Sequence, residues 1–143
     1  MNLNMAADKY ILDACALLAL VYKETGDNIV KSILKQATIG NAIIYMNKLN
    51  LYEAYYDVIR SKGLQQAEAF YTMVLMSPVQ IIDVISDQVF HKGAFLKTQY
   101  KMSLADSILL GEASVRGASI LTSDHHEFDI IERNNNIKFI WLR

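Results

Sequence analysis

Asp13, Glu53, Asp106 and Asp124 are the side chains whose types and positions point to chemistry. Asp13 closes the apolar triplet Tyr10, Ile11, Leu12, and Asp124 follows the β-forming run 118–122 by way of Ser123. Asp106 lies three residues after Ser103 at the head of another apolar run, and Glu53 sits among apolar neighbours in the first half of a helical pattern. Carboxylates gathered in one cleft repel one another, so they need protons or hard cations. An all-oxygen donor set suits Mg²⁺ or Mn²⁺, ions that keep several waters and meet substrate phosphates. The chemistry that follows is phosphodiester hydrolysis by a cation-activated water, with one or two cations stabilising the attacking and leaving oxygens. Each acid also has a plainer reading. Asp106 can be a capping carboxylate, Asp124 a turn residue and Glu53 a solvated side chain on a polar helix face.

Other chemistries fit the sequence less well. It contains no G-x-x-x-x-G-K-[ST] phosphate loop, no G-x-G-x-x-G after the first strand and no G-x-S-x-G elbow. An aspartyl nucleophile at Asp13 lacks the second Asp two residues on, where Cys15 stands. His125 and His126 raise the question of zinc. Adjacent histidines on a loop seldom reach one metal without a third spaced ligand, so a solvated or phosphate-contacting role is the better expectation.

The elements that must position the acids follow from patterning. Ser103 and Asp106 form an S-x-x-D capping box, so a helix begins near Leu104, with Ile108, Leu109, Ala113 and Val115 on its buried side and Gly117 as its left-handed cap. Residues 118–122 then read as a buried strand, and acids at the ends of parallel strands lie where open α/β sheets hold ligands. After a loose start over 1–8, Tyr10 to Leu12 reads as a strand and 14–22 as a helix. Asp27 or Asn28 can cap a second helix carrying Ile29, Val30, Ile33 and Leu34. A strand over 42–45 leads to a helix capped by Asn47 and ending at Gly63, and a further helix spans 64–76 with Ala67, Phe70, Tyr71, Val74 and Leu75 on its apolar face. Pro78 ends it. A strand over 79–82, a helix capped by Ser86 and running to about Gln99, and a last strand over 137–142 complete the chain. Tyr52, Tyr55, Tyr56, Phe70 and Tyr71 are dense enough for a partner surface, though core packing is the commoner use of such residues. Five strands alternating with helices imply a three-layer α/β domain with a mainly parallel sheet.

The 143 residues contain one proline and six glycines, and 52% are hydrophobic, which argues for one domain over 1–143 and against a disordered chain. The lone Cys15, in an apolar run, excludes an internal disulfide framework and reads as a small buried hydrophobe. A formal charge of −1 argues against a generally basic nucleic-acid coat. Setting aside the four candidate acids leaves +3 on the remainder, a modest positive surround. The apolar stretch after Lys9 contains Asp13 and is too short to span a bilayer, so a soluble intracellular protein, cytoplasmic and without membrane attachment, is expected.

The strings Y-I-L-D at 10–13, L-Y-E at 51–53, S-L-A-D-S-I-L-L-G-E-A at 103–113 and I-L-T-S-D-H-H-E-F-D at 120–129 resemble a PIN domain. More narrowly, they are similar to the VapC-type toxins of toxin–antitoxin pairs. The resemblance covers nearly the whole chain, and its most specific piece is T-S-D-H-H-E-F coupled to the upstream helix-start Asp106. It implies that Asp13, Glu53, Asp106 and Asp124 are the quartet holding Mg²⁺ or Mn²⁺ in an endoribonuclease, with Asp129 either an assisting ligand or a surface acid. Members usually carry Thr or Ser just after the first Asp. Here that residue is Ala14, and Ser123 is the candidate for supplying the missing hydroxyl. The resemblance further implies a structured RNA substrate of the tRNA or rRNA class, a homodimer, and a small antitoxin that fills the cleft with a basic side chain. The competing expectation is a non-catalytic PIN-like scaffold that binds RNA or a protein without cutting.

Overall fold

A computed structural model describes residues 6–143. Along the chain the elements are β1 (Asp8–Leu12), α1 (Ala14–Tyr22), α2 (Asp27–Thr38), β2 (Ala42–Asn47), α3 (Lys48–Lys62) and α4 (Leu64–Met76). They continue as β3 (Val79–Ile82), α5 (Asp87–Gln99), α6 (Leu104–Arg116), β4 (Ser119–Thr122), α7 (His125–Asn134) and β5 (Phe139–Trp141). Of the expected loose start, residues 1–5 lie outside the described residues, and Asp8 already opens β1.

The five strands form one sheet in the order β3-β2-β1-β4-β5, and every pairing is parallel. Successive strand residues point to opposite faces, and this alternation divides the core. Leu12, Ile44, Met46 and Leu121 face α1 to α4 on one side. Ile11 and Ile120 face Leu96 of α5, Leu109 and Leu110 of α6, and Phe128 and Ile131 of α7 on the other. These strand residues are fully buried, each such side chain contributing about 1.5–3 kcal/mol. A sheet between two helical layers is the architecture expected from the alternation of strands and helices.

The chain leaves β1 for β2 on one side and later returns to place β4 on the other. The order therefore reverses between β1 and β4, and at such a switch point the loops beyond the strand C-termini diverge and leave a crevice. Asp13 follows β1 and Asp124 follows β4, one on each side of it.

Several boundaries differ from expectation. Gly26, not Asp27 or Asn28, is the N-cap of α2, with no side-chain cap bond. The last strand is shorter than 137–142, covering Phe139–Trp141. Val115 and Leu75 are exposed, at 40% and 54%, because their positions rotate off the buried sides of α6 and α4. The histidines expected on a loop instead open α7. That helix has its own sequence signal: Asp124 three residues before Glu127, then Phe128 and Ile131 at helical spacing.

Candidate active site

Asp13 is the most buried of the four acids, at 8% exposure. As N-cap of α1 its Oδ1 accepts from the Ala14 amide at 2.7 Å, while its Oδ2 accepts from the Thr122 hydroxyl at 2.8 Å. The Cys15 thiol, 3.6 Å from Oδ2, donates to it more weakly. Burial pushes the Asp13 pKa up, the bonds from Thr122, Ala14 and Cys15 oppose this, and the charge of Asp124 adds to the rise.

Thr122 joins the two strand ends. Its hydroxyl gives its proton to Asp13 and accepts from the Asp124 amide at 3.1 Å, which fixes the start of α7 relative to the start of α1. Asp124 then caps α7, its Oδ1 accepting from the Glu127 amide at 3.2 Å. The hydroxyl expected from Ser123 thus comes from its neighbour. Ser123 instead sends its backbone amide to the Cys15 sulfur at 3.4 Å. Cys15 is half-buried, and its thiol is pushed up to about 11, first by burial and then by Asp13, so it stays protonated and serves as a donor.

Asp106 is the third residue of α6, and its amide donates to the Ser103 hydroxyl at 3.1 Å, as the capping pattern requires. Its carboxyl is half-buried and pushed up to about 7. Burial is the largest cause and the charge of Asp13 the next; Ser103 opposes, and Glu53 and Asp124 raise it further. Glu53, on α3, is raised by burial and by Asp13. Its Oε1 is buried with no hydrogen-bond partner. One turn earlier, Asn50 is fully buried with both polar side-chain atoms unpartnered. Residues three apart share a helix face, so α3 presents two unsatisfied polar groups in succession.

These interactions bring Asp13, Glu53, Asp106 and Asp124 into one field. Asp129 stands apart. It is half exposed and hydrogen-bonds His125 Nδ1 at 2.8 Å, while His125 stacks on Trp141 with centroids 3.9 Å apart. Among the described residues no three His, Cys, Asp or Glu side chains are arranged to hold a metal ion as they stand. The four acids lie within one another's electrostatic reach without forming a closed cage.

A family model described as the PIN domain matches residues 10–134. The chain belongs to the PIN domain family. Solved structures with this PIN fold include VapBC2 from Rickettsia felis bound to a promoter DNA fragment, with TM-score 0.74 and 21% identity over 92% of this chain and 97% of that one. DNA-bound VapBC from Salmonella typhimurium gives 0.71 and 17%, over 95% and 99%. VapC20 of Mycobacterium tuberculosis, a toxin that cleaves the sarcin–ricin loop, gives 0.60 and 12%, over 78% and 86%. No curated protein matches the chain. The PIN fold and the expected VapC-like neighbours are thereby found, while Thr122, Cys15 and Asn50 enter the site from structure alone.

Proposed function

We propose that the protein is a metal-dependent endoribonuclease, the toxin of a toxin–antitoxin pair, with Asp13, Glu53, Asp106 and Asp124 as its acidic quartet. The observation that supports this most is the field around Asp106, whose carboxyl is raised by burial and by all three other acids. An all-carboxylate donor set suits Mg²⁺ or Mn²⁺, and the unpartnered Glu53 Oε1 is a buried acceptor of the kind such an ion satisfies. Mg²⁺ usually keeps several waters and is held through only one or two carboxylates, so an open acidic cleft fits it without a closed cage. When bound, the ion would activate water and neutralise charge on the phosphate.

The chain's own residues have defined parts in this reading. Thr122 and the Ala14 amide orient Asp13 so that its oxygens are fixed before substrate arrives. Ser103 holds the first turn of α6, and with it Asp106. The likeness of fold to VapBC proteins is consistent with a basic antitoxin segment in the cleft, an RNA substrate of the tRNA or rRNA class, and action in the cytoplasm. The reading includes a homodimer, the commonest closed assembly for such a chain. Among the described residues no helix is long and apolar enough to cross a membrane.

The test is cleavage of purified tRNA and rRNA in Mg²⁺, Mn²⁺ or EDTA. Discrete products that vanish in EDTA are expected, falling at least about a hundredfold in Asp13→Asn and Asp124→Asn, since even outer partners of metal ligands cost 10–100-fold. No cleavage by folded, inhibitor-free protein in either metal would leave the non-catalytic scaffold as the better reading.

A further inference from the structure

The exposed side of α3 carries a repeating pattern that the acidic site does not use. Lys48, Tyr52, Tyr56 and Arg60 recur every four residues, so each lies one turn beyond the last on neighbouring parts of the helix surface. Tyr52 is 63% exposed and Tyr56 37%. Their rings meet edge to face with centroids 5.4 Å apart, and the Arg60 guanidinium lies 5.3 Å from the Tyr56 centroid. Cation, aromatic, aromatic, cation therefore run along about 18 Å of helix, at 1.5 Å per residue. Leaving two tyrosine rings in water forgoes the stabilisation that burying them would give, and aromatic pairs of this size normally help to fill a core.

The charge on this surface is unspent. Among the described residues neither Lys48 nor Arg60 is in an ion pair. Of the acids nearby in sequence, Glu53 belongs to the acidic site, Asp57 accepts from the Tyr22 hydroxyl at 2.7 Å, and Glu68 accepts from Tyr55. Lys48 and Tyr52 also line two hollows. One, of about 350 Å³, is shared with Asn47, Ile82, Val84 and the acid Asp83. The other, of about 280 Å³, is shared with Leu51, Tyr55 and Tyr71. The stripe starts at the residue after β2, at the C-terminal end of the parallel strands, where Asp13 and Asp124 also lie, and Tyr52 immediately precedes Glu53. Phosphates approaching four carboxylates need compensating cations nearby, and bases without a duplex partner need a flat face on which to stack.

We propose that the Lys48–Tyr52–Tyr56–Arg60 stripe is a binding track for single-stranded RNA, leading an unpaired segment into the acidic cleft. Tyr52 and Tyr56 stack bases, and Lys48 and Arg60 contact the flanking phosphates. This rests on the ribonuclease reading and narrows it to substrates cut in loops or unpaired flanks rather than within a duplex. Duplex RNA does not fit the track, because its bases are already stacked and its deep major groove excludes side chains.

The experiment is fluorescence anisotropy with a short oligouridylate, titrated with the full chain in Ca²⁺ in place of Mg²⁺, an oxygen-binding cation of looser geometry that lets the probe bind without being cut, over a series of salt concentrations. Tyr52→Ala and Tyr56→Ala should each weaken binding about tenfold, within the range for loss of one stacked base, and Tyr52→Phe should restore it. Arg60→Gln should lower the slope of log affinity against log salt by about 0.7, the value for one phosphate contact on a single strand. All four positions are at the surface, so melting temperatures should match wild type. Unchanged affinity in both alanine variants would overturn the track. So would unchanged affinity accompanied by a shift in sedimentation, which would make the stripe a protein–protein surface. Because the probe is not cut, binding lost in the alanine variants would support the track even where no nuclease activity is found, and cleavage with normal RNA affinity in those variants would overturn it while leaving the nuclease standing.

Discussion

Asp106→Asn is expected to abolish divalent-metal binding and to leave the metal-free protein more stable than wild type above about pH 7. The sign follows from the carboxyl's raised pKa. Asp106 moves from an ordinary value of 3.8 up to about 7, so between those limits the folded protein holds a proton that the unfolded chain has released. Stability then falls as pH rises through this window. The favourable contribution of the neutral carboxyl is complete below about 3.8 and lost above about 7. Asparagine cannot ionise, so the variant should escape that loss. Its advantage should open across the window and level off above it at about 2 kcal/mol, after discounting for water around a half-buried group. Denaturant titrations at several pH values, with and without Mg²⁺, give the comparison. Mg²⁺ should stabilise wild type by about 2.7 kcal/mol at a hundred times its dissociation constant and leave Asp106→Asn unmoved. A uniform loss of about 1 kcal/mol at every pH, the cost of a weakened helix cap, with Mg²⁺ stabilisation intact, would make Asp106 a capping residue only.

Gly26→Ala is expected to cost about 3 kcal/mol. Gly26 has φ of +95°, a region that residues with a Cβ rarely adopt, and an added Cβ would stand 2.4 Å from the Leu142 carbonyl oxygen and 2.6 Å from the Leu142 Cβ. Neither atom belongs to the free end of a flexible side chain, so backbone must shift, and both strain and overpacking contribute. The Leu142 amide donates to the Thr122 carbonyl at 3.0 Å, so the displacement reaches the residue that orients Asp13. Thermal unfolding followed by circular dichroism should show a melting temperature lower by about 6–12 °C. An unchanged melting temperature would mean that the turn between α1 and α2 can move aside without disturbing Leu142.

What the sequence made legible is what local chemistry decides. The helix starts at Leu104 and Lys48 were readable because Ser103 and Asn47 cap their helices with their own side chains. The strands β1, β2 and β4 were readable because each is a short apolar run ended by a polar residue. Gly26 was missed as a cap because its role depends on contact with Leu142, far along the chain. Thr122 was missed for the same reason: its hydroxyl bonds Asp13 across 109 positions. In α7 the two leading histidines masked a capping pattern that was present. Val115 and Leu75 show the converse error, since an apolar residue at nearly helical spacing need not face the core. The four candidate acids were chosen from residue type and position, and their gathering at the strand C-termini was expected from the parallel topology. The strength of their coupling was not legible, because it depends on how α3 and α6 approach β1.

The central claim is that these four carboxylates form one hard-cation site, and the most direct measurement is Mn²⁺ binding to metal-stripped protein by isothermal titration calorimetry, with Mg²⁺ as competitor. The expected result is saturable binding that Mg²⁺ displaces, lost in both Asp106→Asn and Asp124→Asn and retained in Asp129→Asn, whose carboxylate is paired with His125 outside the cleft. Binding of wild-type strength in Asp106→Asn and Asp124→Asn would contradict the claim and return those acids to the role of helix caps.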